Sequence, residues 1–194
     1  MNRRLDFLII AFLLLASGAC IIGCRKAVVE AEPTTEPSTQ VSCLDIVERY
    51  MSDSIGSQYL QGEVCIPCVM PVEVDESDTA DVRVWGDFWV FNYNISGDTL
   101  KTVSGGDHPG LFHLVKTGTT YEVTSFDAVI NGAGNQESAR RIFGDKYEEY
   151  HSINSDETLR EAMRTAITSD YVRKNGLNVK YYQDYGWPAV SINN

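Results

Sequence analysis

Positive charge is scarce in this chain. Sixteen lysines and arginines stand against 27 aspartates and glutamates in 194 residues, for a net charge of −11 and a pI near 4.6. No broad basic surface is available to neutralise phosphates or anionic lipid headgroups, so nucleic acid is excluded as a partner. Histidine is scarce too, with three in all. No spaced His pair and no second Cys pair accompanies Cys65 and Cys68, so no metal set is formed and no cofactor is implied. A hydrolase elbow with its Ser, His and Asp order is missing. Gly105, Gly106 and Gly110 have neither a strand-to-helix context nor a Lys-Ser/Thr ending, which removes a phosphate cradle and leaves a bulge that bends a sheet. No internal repeat is visible. What remains, 43% hydrophobic, 22% charged and 10% aromatic, is the composition of one ordinary folded domain.

The N-terminus carries an address. Arg3 and Arg4 precede an apolar run from Phe7 to Ala16 that is too short for a settled transmembrane helix and reads as a signal peptide over residues 1–23. Ile21, Ile22 and Gly23 before Cys24 resemble the bacterial lipoprotein processing box. Cys20, after Ser17, Gly18 and Ala19, lacks the large aliphatic residue that box needs. The resemblance implies acyl chains on Cys24, cleavage after Gly23, and an extracytoplasmic domain tethered to the cell envelope; two or three chains hold where one lets go. Residues 24–41, with Pro33 and Pro37 among Glu, Thr and Ser, form a linker extended by proline and by like charge.

The folded part is residues 42–194. Leu44, Ile46, Val47, Tyr50, Met51 and Ile55 recur at helical spacing from Ser42, which can cap the first turn, to Gln58. Val69 to Val74 reads as extended, since Pro67 and Pro71 deny a helical interior. Val82 to Tyr93 is a strand rich in aromatic and β-branched residues, closed by Ser96-Gly97-Asp98. A third strand starts at Leu100, breaks across Gly105 to Gly110 and resumes as Leu111 to Lys116; Thr117-Gly118 reverses it into Tyr121 to Ile130. Helical spacing returns at Ser138 to Phe143. It returns again from Asn154, which has capping-box spacing to Glu157, through Leu159, Met163, Ile167 and Tyr171. Val179 to Ile192 reads as an irregular last strand. This order predicts an α+β fold in which a curved antiparallel sheet of about four to six strands packs against helices.

Three segments carry a family resemblance: Asp87 to Tyr93, Ser104 to Gly110 with His113, and Tyr121 to Asp127. They resemble lipid-anchored proteins of gut bacteria with the NTF2-like, cystatin-like cone. The resemblance implies that fold over residues 42–190 and names no activity.

Several side chains could carry chemistry. Cys65-Ile66-Pro67-Cys68 has dithiol spacing, but Pro71 and β-branched neighbours argue for a strand, without the helix dipole that would activate a thiolate. On a strand Cys65 and Cys68 stand about 10 Å apart, too far to bridge. A disulfide would therefore join Cys43 to Cys65 or to Cys68, or all three stay thiols. Alternation places Trp85, Asp87, Trp89, Phe91 and Tyr93 on one face, and Val82, Val84, Phe88 and Val90 on the other. One face is expected to meet the helices and the other to line a pocket or a partner surface, unless both fill core. His113 alternates with Leu111 and Val115, and Asp127 with Val123 and Val129. The two share a face if Lys116 pairs with Thr120 and oppose if it pairs with Thr119.

Two function classes follow. The first is a non-enzymatic envelope lipoprotein that binds a small ligand or another envelope protein, with Trp85, Asp87, Trp89, Phe91, His113 and Asp127 as the candidate pocket; a homodimer through the sheet is a further partner. The second is an NTF2-like enzyme of isomerase, dehydratase or hydrolase type, with Asp87, His113 and Asp127 as acid–base groups.

Overall fold

The computed structural model describes residues 41–192. The signal segment, Cys20, the lipidation site Cys24 and the linker up to Gln40 lie outside the described residues. No described helix is long and apolar enough to cross a membrane, and no membrane or lipoprotein feature appears among the described residues.

Ser42 opens the first helix as the pattern predicts. Its hydroxyl accepts the Asp45 N–H at 3.1 Å and the Asp45 carboxylate accepts the Ser42 N–H at 2.7 Å, a complete capping box. Helix α1 (Cys43–Tyr50) runs on through a π turn (Met51–Ile55) and a 3-10 turn (Gly56–Gln58). Cys43, Val47 and Met51 are its buried edge.

Five strands follow in sequence: β1 (Val64–Asp75), β2 (Val82–Ser96), β3 (Thr99–Asp107), β4 (Gly110–Thr117) and β5 (Thr120–Ala128). β1 covers one edge of β2, and its Pro67 and Pro71 sit on that outer strand, where a missing N–H costs little. β3 and β4 together run back along the other edge, from Ser96 opposite Thr99 to Val82 opposite Leu114. They are one strand interrupted at His108-Pro109, as the glycine-rich break predicts. Gly105 is required there, because a Cβ would stand 2.5 Å from the Val90 carbonyl oxygen.

The remaining elements are α2 (Asn135–Phe143), α3 (Tyr147–Ser155), α4 (Glu157–Lys174), β6 (Tyr181–Gln183) and β7 (Val190–Ser191). They overturn the cone. The sheet has seven strands in the order β5-β4-β2-β3-β6-β7, with β1 on β2. It is mixed, since β6 joins β3 in parallel, and it is open, neither closed nor strongly curled. The NTF2-like, cystatin-like expectation of a curved, wholly antiparallel sheet of four to six strands is therefore corrected. The reason lies in the helices, which cover both faces instead of one. Val82, Val84, Phe88 and Val90 pack with Cys43, Val47 and Met51 of the N-terminal helix. Trp85 packs with Ala139, Phe143, Tyr147 and Tyr150 of α2 and α3, and Tyr93 with Val172 of α4. A sheet buried on both sides stays open to both layers.

Helix α4 differs from its pattern. Its cap is Asp156, whose carboxylate accepts the Leu159 N–H at 2.9 Å, while Asn154 lies in the last turn of α3 and reaches inward to Asp87. The apolar row Leu159, Met163, Ile167 and Tyr171 is not its buried face. Arg164, Thr168 and Val172 are buried and Leu159 is exposed.

Candidate functional site

Trp89, Phe91 and Tyr93 stand on one face of β2 two residues apart, and their rings form a ladder. Trp89 and Phe91 lie 5.8 Å apart and 10° from parallel, Phe91 and Tyr93 6.0 Å apart and 28° from parallel. Four residues of helix advance about 6 Å and two residues of strand about 6.6 Å, so a helix side-chain row at i, i+4 keeps step with a strand row at i, i+2. Helix α4 uses that match. The Arg160 guanidinium lies over Trp89 at 5.6 Å and that of Arg164 over Phe91 at 3.9 Å. Between plate and helix is a cavity of about 210 Å³, to which Cys68 and Met70 of β1 and Glu157, Glu161 and Asp184 also contribute.

The two arginines are held differently. Arg164 gives Asp184 two hydrogen bonds of 2.7 and 2.8 Å and donates to the Tyr93 hydroxyl at 3.0 and 3.2 Å. It is sandwiched between Phe91 and Tyr182, whose ring centroid is 4.3 Å away. Burial opposes its charge, and Asp184 and Tyr93 overcome that, so its pKa is raised while the Arg164 guanidinium holds Asp184 below the usual carboxylate range. Glu161 is occupied on one oxygen by the Tyr182 hydroxyl. Arg160, by contrast, is in no ion pair of contact distance among the described residues, its charge reaching Asp107 only through space, and its Nε is buried without a hydrogen bond, as is Trp89 Nε1.

Beside the plate, on the same face of the sheet, sits an acid pair. Asp87 is fully buried, and Asp107 stands opposite Trp89 on β3. Asn154 Nδ2 donates to Asp87 at 3.2 Å and to Asp107 at 3.5 Å. Burial, and then the neighbouring Asp87, push Asp107 up to about 8. One oxygen of each carboxyl has no partner. A proton held between them satisfies both, since two adjoining buried carboxylates cannot both ionise.

The other sequence candidates are dispersed. Trp85 belongs to the core: it is 7% exposed and its indole N–H donates to the Ile142 carbonyl at 3.0 Å under α2. His113 and Asp127 do share a face, by a register the sequence alone leaves unweighed. Lys116 pairs with Tyr121, which would set them on opposite faces, but Thr124 bulges out between His113 and Leu114 and restores the parity. His113 lies 2.7 Å from Asp81 and 3.8 Å from Asp127. Asp87 is bound instead to Asn154, so the acid–base trio of Asp87, His113 and Asp127 does not converge.

All three described cysteines are thiols, the second of the two alternatives the sequence leaves open. Cys65 and Cys68, three apart on β1, face opposite sides, and Cys43 donates to Glu76 at 3.7 Å. Burial raises the pKa of all three, that of Cys68 to about 12, the opposite of an activated dithiol. Of the sequence candidates, Trp89 and Phe91 line the cavity between plate and helix. Sequence reasoning missed Arg160, Arg164 and Asp184, because charged residues on a helix and in a loop read as solvated surface. Compared with family models, curated proteins and solved structures, the chain matches none.

Proposed function

We propose that this is a non-catalytic binding domain, tethered to the cell envelope by acyl chains on Cys24, which takes a small ligand in the cleft between the Trp89–Phe91 plate and α4. The observation that carries the reading is Arg160. A partly buried guanidinium over an aromatic plate, lacking the carboxylate that its neighbour Arg164 has, is a group prepared for an outside partner. The tether rests on the Ile21-Ile22-Gly23-Cys24 run alone. The acid–base alternative draws no comparable support, because Asp87 is bound to Asn154 and does not join His113, which sits between Asp81 and Asp127.

One preparation tests both parts. The full chain is expressed in a lipoprotein-processing host, purified in detergent and weighed; the mass of a chain starting at an acylated Cys24 is expected. It is then screened against a small-molecule fragment set by ligand-observed NMR. Binding fragments are expected to lose affinity by about tenfold or more when Phe91→Ala removes part of the plate. An unmodified Cys24 removes the tether. Fragments that bind the wild type and the folded Phe91→Ala chain equally remove the cleft.

A further inference from the structure

The cleft does not end at α4. A second cavity, of about 480 Å³, shares Glu157, Glu161 and Asp184 with it and is walled on its far side by Trp187 and Pro188 of the loop joining β6 to β7. Trp187 is 70% exposed, yet its backbone is fixed. Its N–H donates to the Asp184 carbonyl at 3.1 Å, and its carbonyl accepts Gln183 Nε2 at 2.6 Å. Asp184 is in turn clamped by Arg164 and by Thr102, whose hydroxyl donates at 2.5 Å. A large ring is thus shown to water from a braced position, at the outer end of a groove whose inner end is the Trp89–Phe91 plate.

Resting on the cleft proposed above, we infer that the two cavities form one groove for a neutral carbohydrate chain, with one sugar ring in the inner cavity at the Trp89 end of the plate, Arg164 covering the Phe91 end, and another against Trp187. The groove's chemistry excludes the other classes in turn. An anion meets Glu157 and Glu161 on a chain of net charge −11. A purely apolar ligand strips water from Glu157, Glu161 and Arg160 and gives nothing back. A cation is drawn by the rim but repelled by the two guanidinium groups, Arg160 and Arg164, that line the inner cavity. A sugar chain suits the groups left open: hydroxyls donate to Glu157 and to the remaining Glu161 oxygen and accept from Arg160, and C–H faces pack against Trp89 and Trp187.

The test titrates the full chain with hexasaccharides by calorimetry. Neutral probes are cellohexaose, maltohexaose and N-acetylchitohexaose; the glucosamine hexamer is the cationic probe and hexagalacturonate the anionic one. Tyr185, 98% exposed on the same loop, borders a neighbouring cavity with Lys101 and Gln183 that has only Asp184 in common with the groove, so Tyr185→Ala serves as the control for a merely sticky ring. At least one neutral probe is expected to bind, at least tenfold more tightly than either charged hexamer. Trp187→Ala, a surface change, is expected to weaken it by about tenfold while Tyr185→Ala leaves it unchanged. A charged hexamer binding more tightly, or neutral binding that ignores Trp187→Ala yet is lost in Phe91→Ala, overturns the carbohydrate groove and leaves the cleft standing. Neutral probes that all fail to bind overturn the groove, and if the fragment screen is empty as well the cleft falls with it.

Discussion

Asp107 makes the most direct residue-level prediction. In the folded chain it keeps its proton up to about 8, because burial and Asp87 oppose its ionisation, whereas an unfolded aspartate releases its proton near about 3.9. Between those values the folded state binds more protons. Its contribution is therefore most favourable at the acid end, declines as pH rises through the window, and levels off above about 8. Asp107→Asn keeps the shape and supplies a permanent donor to Asp87. Urea melts are expected to show little difference from the wild type at pH 4, and a gain of about 1–3 kcal/mol for the variant at pH 8.5. A variant destabilised equally at both pH values contradicts the shared proton. Nothing in the sequence marks Asp107 as half-buried, with one carboxyl oxygen shut off from water. It lies in a glycine-rich break, the hydrophobic pattern is silent there, and its partners Asp87 and Asn154 are 20 and 47 residues away.

At the scale of elements, legibility followed the hydrophobic pattern and stopped where polar groups do the packing. Ser42 with Asp45, the β2 alternation and the break in the third strand were readable because each rests on local chemistry. The buried face of α4 was not, because Arg164 and Thr168 occupy it while Leu159 faces water; a hydropathy stripe assumes that charge lies outside. The cap was displaced by the same cause, Asn154 being drawn inward by two carboxyls while Asp156 takes the helix end. Asp156→Ala is expected to cost about 1 kcal/mol in a thermal or urea melt, the usual value of such a cap. An unchanged melt would mean that the Asp156 to Leu159 bond carries no weight and that α4 is held by Arg164 alone. A last strand was legible over Val179 to Ile192, but the parallel pairing of β6 with β3 was not, because three residues reached only after three helices carry no mark of their partner.

For the molecule as a whole, the α+β class was legible and the cone was not. Whether helices settle on one face of a sheet or on both depends on pairings between residues far apart in sequence, here α1 against Phe88 and Val90, and α4 against Phe91 and Tyr93. Since α1 takes one face and the C-terminal helices the other, the opening left over the aromatic ladder is the one at Arg160. The chain carries its own reporters for that opening in three tryptophans set in three environments: Trp85 sealed under α2, Trp89 on the plate, and Trp187 at the rim. The decisive measurement is a ¹H–¹⁵N spectrum of the three indole N–H groups during titration with the neutral hexasaccharides. The account predicts that the Trp89 and Trp187 signals move together, with one saturation curve, while Trp85 stays still. Binding that leaves Trp89 unmoved, or that shifts Trp85 as much as Trp89, would contradict it.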